Sequence, residues 1–326
     1  MRIGILSFAH MHAESYAACL RAIDDVDLVG IADEDEARGR SAAERYGTRY
    51  FRDYRDLLGE GLDGALICSE NSRHKEMALA AAGAKAHILC EKPIATSIED
   101  SKEMIEAAER EGVKLQIAFP CRFHPAVMRA REIIGDGALG KVLAVNGTNR
   151  GVMPGGWFTD RELAGGGAII DHTVHVVDLI RWMLGTEVRS VYAEIDTRFH
   201  RLDVDDCGII SMELDNGGFA TLDASWSRPV NAFPTWGDVT MEITGTRGLL
   251  SLDVFAQNID LYNNDRVRAE WVNWGDNMDM GLVRDWVDSM RENKPPSVSG
   301  LDGLRALEVA LAAYRSAESG EPVLLR

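Results

Sequence analysis

The sequence predicts an α/β chain in two parts. The first is a parallel sheet covered by helices, and the second is an α+β domain on a large, open, mainly antiparallel sheet. Its 326 residues are long for one core and comfortable for two. Over residues 1–121, short apolar runs alternate with helical patterns. After Arg122 the texture changes to runs with period-two alternation, separated by hairpin signals. The boundary is expected at 121/122, with 122–326 forming the second domain.

In the first part, "RIGILSF", "VDLVGIAD", "GALICS", "HILCEKP" and "KLQIAF" read as strands bounded by Gly, Asp or Pro. Between them, "ESYAACLRAI", "EARGRSAAERYG", "HKEMALAAAGA" and "SIEDSKEMIEAAEREG" carry Ala and Leu at helical spacing, with Gly just past their ends. "TSIED" opens its helix with a Ser/Thr cap and acidic residues. Strict alternation of β and α means a parallel sheet with helices on both faces, the Rossmann arrangement. In the second part a helix ("HPAVMRAREIIGDG") leads to a strand ("KVLAVNGTN"), a Gly-rich loop and a strong helix ("GAIIDHTVHVVDLIRWMLG"). Seven further runs then read as strands: "VRSVYAEI", "CGIISMEL", "GFATLDASWS", "VTMEITGT", "GLLSLDV", "IDLYNN" and "AEWVNW". An amphipathic helix from about Asp302 to Ser319 closes the chain and is expected to pack back on the first domain. An open sheet with an apolar face is covered most simply by a second copy, so a homodimer or homotetramer is expected.

Hydrophobic residues make up 46% and charged residues 27%, an ordinary globular composition. The net charge of −17 argues against nucleic acid and anionic membrane surfaces as partners. Five widely spaced cysteines with no C-x-x-C suit reduced thiols in a cytoplasm. "MRIGILSF" is too short for a signal peptide, and no stretch is expected to reach the roughly 18 apolar residues that span a membrane.

A dinucleotide-binding turn normally reads G-x-G-x-x-G, because two phosphates approach the backbone closely. In "GILSFAHMH" those positions are Ser7, Ala9 and His12. Ser7 makes a tight turn provided its φ stays negative, and its hydroxyl can bind phosphate. Ala9 adds a methyl where the phosphates approach, and His12 is bulky where the helix packs on the strand. With Phe8 and His10, these residues are the candidate phosphate contacts. Asp33, ending "VDLVGIAD", is placed to accept the adenosine ribose hydroxyls and repel a 2′-phosphate, and no Arg follows immediately. NAD is therefore favoured over NADP. Ser69, Asn71 and His74 of "CSENSRH" fall at the carboxyl edge of the sheet, or else are plain helix caps and a surface histidine.

"CEKPIA" sets Glu91, Lys92 and Pro93 at a strand end, where a lysine ammonium can stabilise a developing alkoxide. The Pro imposes an extended residue before it, which aims the Lys. In "GGGAIIDHTVHVVD", Asp171, His175 and Asp178 share one helical face. A His oriented by a carboxylate one turn away suits a general base. His172 and His175 at i, i+3 lack a third ligand at convincing spacing, so no metal is expected.

Glu-Lys-Pro, "RFHP" at the domain junction and GGG-x-x-x-D-x-x-x-H, in this order over essentially the whole chain, resemble a known family. It is the glucose–fructose oxidoreductase / inositol dehydrogenase / rhizopine catabolism (Gfo/Idh/MocA) family. "EITGTRGLLSLD" and the ending "GLRALEVALAAYRSAESGEPVLL" belong to the same likeness. The resemblance implies the two-domain fold read above, NAD as cofactor, and reversible oxidation of a sugar or polyol hydroxyl. It implies that Lys92, Asp171 and His175 are catalytic. Asn71 and His74 match the polar pair near the nicotinamide ribose, although Ser69-Glu70 stands where the family has Thr-Pro. Arg122, Trp157, Phe158, Trp236 and Asn277 are substrate-pocket candidates, since aromatics suit sugar faces and polar side chains read hydroxyls. Two alternatives stand beside the dehydrogenase. One is an enzyme that keeps its NAD and modifies a sugar without net redox change. The other is a non-catalytic, ligand-sensing relative with a degraded loop.

Overall fold

The computed structural model describes residues 1–262 and 270–325. They form two compact units. One is Met1–Pro120 with Asp279–Leu304, and the other is Cys121–Met278 with Arg305–Arg326.

The first unit runs β1 (Arg2–Leu6), α1 (His12–Arg21), β2 (Asp27–Ala32), α2 (Glu36–Tyr46), β3 (Arg49–Phe51), α3 (Tyr54–Leu58), β4 (Gly64–Ile67), α4 (His74–Gly83), β5 (His87–Cys90), α5 (Ile98–Glu111) and β6 (Leu115–Ile117). The strands pair in parallel in the order β3-β2-β1-β4-β5-β6. Ile3, Ile5, Leu6, Leu66 and Ile67 are fully buried, as a parallel sheet covered on both faces requires. The chain starts at the centre, moves out through β2 and β3, then crosses back to β4. The switch point therefore lies between β1 and β4, where ligands bind in open α/β sheets. Asp35 caps α2 through the Arg38 amide and Ser97 caps α5 through the Asp100 amide. Gly47 and Gly112 end these helices in the left-handed conformation.

β3 and α3 are absent from the sequence reading. β3 is a three-residue edge strand beginning with Arg, too short for a period to register.

The second unit contributes α6 (Pro125–Gly135), β7 (Val142–Gly151), α7 (Arg161–Ala164), α8 (Ala168–Leu184), β8 (Val188–Asp196), β9 (Cys207–Leu214), β10 (Phe219–Ser225), β11 (Gly237–Gly245), β12 (Leu249–Asp253), β13 (Asn258–Leu261) and β14 (Glu270–Asn273). The chain ends with α9 (Met278–Arg291), α10 (Gly300–Ser319) and β15 (Val323–Leu324). One sheet has the order β12-β11-β7-β10-β9-β8-β15, antiparallel except where β7 meets β10. "IDLYNN" and "AEWVNW" fall outside it, and among the described residues β13 and β14 pair with each other. Asn263, Asn264 and Ala269 of those runs lie outside the described residues. The closing helix begins at Gly300, two residues before the expected Asp302, and β15 adds an edge strand the sequence reading missed.

α9 was also missed. It belongs to the first unit and buries Leu282, Val283, Trp286 and Val287, with the Trp286 ring against Gly64 of β4. α8 packs on β7 and β10 in the second unit. Contrary to the sequence expectation, the segment Arg161–Leu184 is long and apolar enough to cross a membrane by length and composition. However, 89% of that window is buried inside the fold, so its hydrophobicity serves a core.

Gly167 precedes α8 where a Cβ would stand 1.9 Å from the Asp205 carbonyl oxygen. Backbone against backbone cannot give way cheaply. A G167A variant should lose about 3 kcal/mol of stability, read from the urea midpoint of unfolding.

Candidate functional site

The turn after β1 is built from the residues that replace glycine. Ser7 has a φ of 70°, so it turns in the left-handed region, and the condition of a negative φ set from the sequence is not met. Two contacts compensate. The Ser7 amide donates to Ala32 O at 2.7 Å, and its hydroxyl oxygen accepts the Ala9 amide at 3.1 Å. The Phe8 amide donates to Asp33 Oδ2 at 2.7 Å, and the His10 amide to Cys68 O at 2.9 Å. The turn is thus held by β2 and β4, the strands flanking β1.

Asp33 is buried at the end of β2 and also accepts the Asp35 amide at 2.9 Å. Arg38, on the first turn of α2, grips it with Nε and Nη2, each at 2.8 Å. The sequence reading noted no Arg immediately after the strand. Helical geometry nevertheless brings residue 38 back over residue 33. A cavity beside this corner is lined by Ser7, Asp33, Glu34, Tyr54, Arg73 and Met77.

Glu91 follows β5 and its side chain is shielded from water entirely. Its Oε1 lies 2.9 Å from His12 Nδ1 and 3.9 Å from His10 Nδ1, while Oε2 accepts the Lys92 amide at 3.0 Å. His12 is the first residue of α1, and its ring packs at 4.4 Å from that of His10 and edge-on to Tyr16. Burial opposes charge on Glu91, but His10, His12 and Lys92 outweigh it and hold its pKa well below the usual carboxylate value. Burial likewise pulls His12 down, and the Glu91 charge and hydrogen bond overcome that and raise its pKa. Asp279 of α9 accepts the Ser15 hydroxyl at 2.5 Å, and burial raises its pKa.

His74 is fully buried and not a surface residue. Its Nδ1 lies 2.9 Å from Pro93 O and its Nε2 3.3 Å from Ser69 O, which ties the Lys92–Pro93 turn, a cis peptide, to the end of β4. Burial pushes its pKa down, so it is neutral at physiological pH. Ser69, Asn71 and Lys92 are buried as well, and Asn71 opens a 3₁₀ turn.

In the second unit, α8 carries Asp171, His175 and Asp178 as its period dictates. Asp171 Oδ2 receives the Trp226 indole N–H at 3.3 Å and lies 3.3 Å from His172 Nε2. His172 Nδ1 meets Asn149 O at 2.9 Å. Asp178 pairs with Arg122 through two bonds of 2.7 and 2.5 Å, both side chains being buried, and the Arg122 guanidinium lies over Trp182. Phe158 stacks on Trp157 at 3.9 Å and belongs to a core cluster with Ala168, Val204 and Trp226. Trp236 and Asn277 are exposed. Sequence reasoning missed Asp205, which accepts the Gly167 and Ile169 amides at 2.9 and 2.8 Å and the Tyr314 hydroxyl at 2.8 Å. It caps α8 from a distant point in the chain and so fixes the pitch at which Asp171 and His175 project.

A six-stranded parallel sheet with a carboxylate closing β2, followed along the chain by a mixed sheet backed by a helix bearing Asp and His, is the arrangement of two-part nucleotide-dependent oxidoreductases. Residues 1–119 match the model of the oxidoreductase family with an NAD-binding Rossmann fold, and residues 127–251 match the GFO/IDH/MocA C-terminal domain. The chain is 30% identical over 257 residues to inositol 2-dehydrogenase 2 of Saccharopolyspora erythraea, covering 77% of this chain and 73% of that one. It is 27% identical to myo-inositol 2-dehydrogenase of Thermotoga maritima, over 100% of this chain and 98% of that one. The crystal structure of GenD2 from gentamicin A biosynthesis, in complex with NAD, superposes with a TM-score of 0.91 at 28% identity, covering 100% and 96% of the two chains. The protein belongs to the Gfo/Idh/MocA oxidoreductase family.

The His12–Glu91 pair makes stability depend on pH. The folded imidazole titrates above its ordinary 6.5, so the His12 contribution is complete below that value and lost as pH rises through the folded pKa. Glu91 titrates below its ordinary 4.5, so its contribution is present above 4.5 and lost as pH falls through the folded pKa. An H12Q variant should be about 1 kcal/mol less stable than the parent near pH 6 and nearly equal to it near pH 9, measured by urea unfolding at both.

Proposed function

We propose that this chain is an NAD-dependent dehydrogenase that transfers hydride between a sugar or polyol hydroxyl and nicotinamide. The corner at the carboxyl ends of β1 and β2 carries the cofactor half of this reading. There buried Asp33 holds the Phe8 amide, beside a cavity lined by apolar Met77 and the ring of Tyr54. A buried carboxylate at the end of the second strand, held by Arg38, is where an adenosine ribose is received in such sheets. The names of the relatives support the polyol half.

Bound NAD would supply the hydride acceptor. Lys92 stabilises the charge that develops on the substrate oxygen. His175 takes the hydroxyl proton as general base, and Asp171 orients the substrate or that histidine. Trp236 and Asn277 are exposed and suited to touching a substrate, whereas Arg122 and Phe158, being buried, act by holding neighbours in position. The five cysteines are all free, in keeping with a reducing, cytoplasmic setting. Tyr192, Ile209 and Phe219 point from one face of the seven-stranded sheet and are exposed, and a second copy would cover them.

Calorimetry of nucleotide-free protein should show micromolar NAD binding with NADP about tenfold weaker or worse, and D33A should narrow that gap. Failure of both to bind at millimolar concentration would replace the enzyme by a ligand-sensing relative. K92A should abolish turnover of inositols and aldoses while changing NAD affinity less than about threefold, and retained turnover would remove Lys92 from the mechanism. Light scattering should report a dimer or tetramer that F219E shifts toward monomer, and an unchanged mass would place the interface elsewhere.

A further inference from the structure

We propose that His10, His12 and Glu91 form a binding site for one divalent transition-metal ion of the zinc, cobalt and nickel class. Among the described residues these are the three His, Cys, Asp or Glu side chains that converge, with ligand atoms all within 4.8 Å of one another. Two imidazoles and a carboxylate are the set with which proteins hold such ions while leaving a fourth position open.

The distances suit an ion. Ligand atoms about 2.1 Å from a tetrahedral centre stand about 3.4 Å from each other. The His12 Nδ1 and His10 Nδ1 separations from Glu91 Oε1, at 2.9 and 3.9 Å, bracket that figure. Three independent pieces of backbone present the ligands: the turn after β1, the start of α1 and the end of β5. Each is fixed by sheet or helix pairing, so little ordering remains to oppose binding. The His10 and Glu91 side chains are 2% and 0% exposed, while His12 is 35% exposed and provides the entry.

Charge points the same way. A carboxylate sealed from water is stabilised by a nearby cation. A divalent ion would supply that charge from between the three side chains. Lys92 is a further cation bearing on Glu91, and Asp279 of α9 is a further carboxylate bearing on His12. His10 Nδ1 accepts the His12 amide at 3.2 Å, and the ion displaces this contact. The site does not depend on the dehydrogenase reading.

The test is titration of the nucleotide-free full chain with cobalt(II), followed by visible absorption, and with zinc, followed by calorimetry. Expected are one ion per chain and an absorption band of four-coordinate strength. H10A and H12A should each weaken uptake by about a hundredfold or more, while H87A, outside the cluster, keeps it. E91Q preserves shape and tests the third ligand if a histidine variant does not fold. Zinc should also raise the melting temperature of the unaltered protein. No uptake and no shift in melting at millimolar metal would overturn the proposal. Uptake unaffected by H10A, H12A and E91Q would do the same, since the ion would then lie elsewhere.

Discussion

A carboxylate sealed from water at the end of a strand is the constraint around which the first unit's working edge is arranged. Glu91 has no solvent to stabilise its charge, so other parts of the chain must come to it. Those parts are the start of α1 through His12, the turn after β1 through His10, and its own neighbour through the Lys92 amide. Each contact fixes a different backbone segment at the switch point of the sheet. A loop without its usual glycines can keep a defined shape there because its conformation is set by this buried charge and by Asp33. Ser7 is held in the left-handed region by the same surroundings, a strain of about 1 kcal/mol offset by its hydrogen bonds to Ala32 and Ala9.

The second unit applies the same device twice. Asp178 is buried and answered by both arms of Arg122, which fixes the middle of α8 against the segment that enters this unit. Asp205 is answered by two helix amides and a tyrosine hydroxyl, which fixes the start of α8. A helix pinned at both places cannot rotate, so Asp171 and His175 keep their direction. Buried charge here acts as a positioning tool more than as a source of stability.

The alternation of strand and helix, the change of texture after Arg122 and the span of α8 were legible because each is a local periodicity. β3 was not, since three residues carry no period. α9 was legible and was overlooked: Leu282, Val283, Trp286 and Val287 stand at helical spacing, but the reading carried its strands to Trp274 and gave nothing to the segment beyond. At the candidate site, Lys92, Asp171 and His175 were picked out by strand-end position, helical spacing and motif order. The grip of Arg38 on Asp33 follows from helix geometry one turn past the strand, which a search for an immediately adjacent arginine passes over. The meeting of His12 with Glu91 depends on strand order, since 79 residues separate them and only the return of the chain to β4 and β5 brings them together.

The capping of α8 has a consequence for how the molecule comes into being. Its first turn is completed by Asp205 and by Tyr314, which lie 38 and 147 residues beyond Gly167. Until both have been synthesised and folded back, four amides at the head of this apolar helix lack acceptors and its hydrophobic faces lack a cover. The helix that bears Asp171 and His175 is thus among the last parts of its unit to be secured during translation. Such closure over long chain separations slows folding and leaves a sticky intermediate in the meantime. Demand for chaperone assistance should therefore concentrate on this segment of the newborn chain.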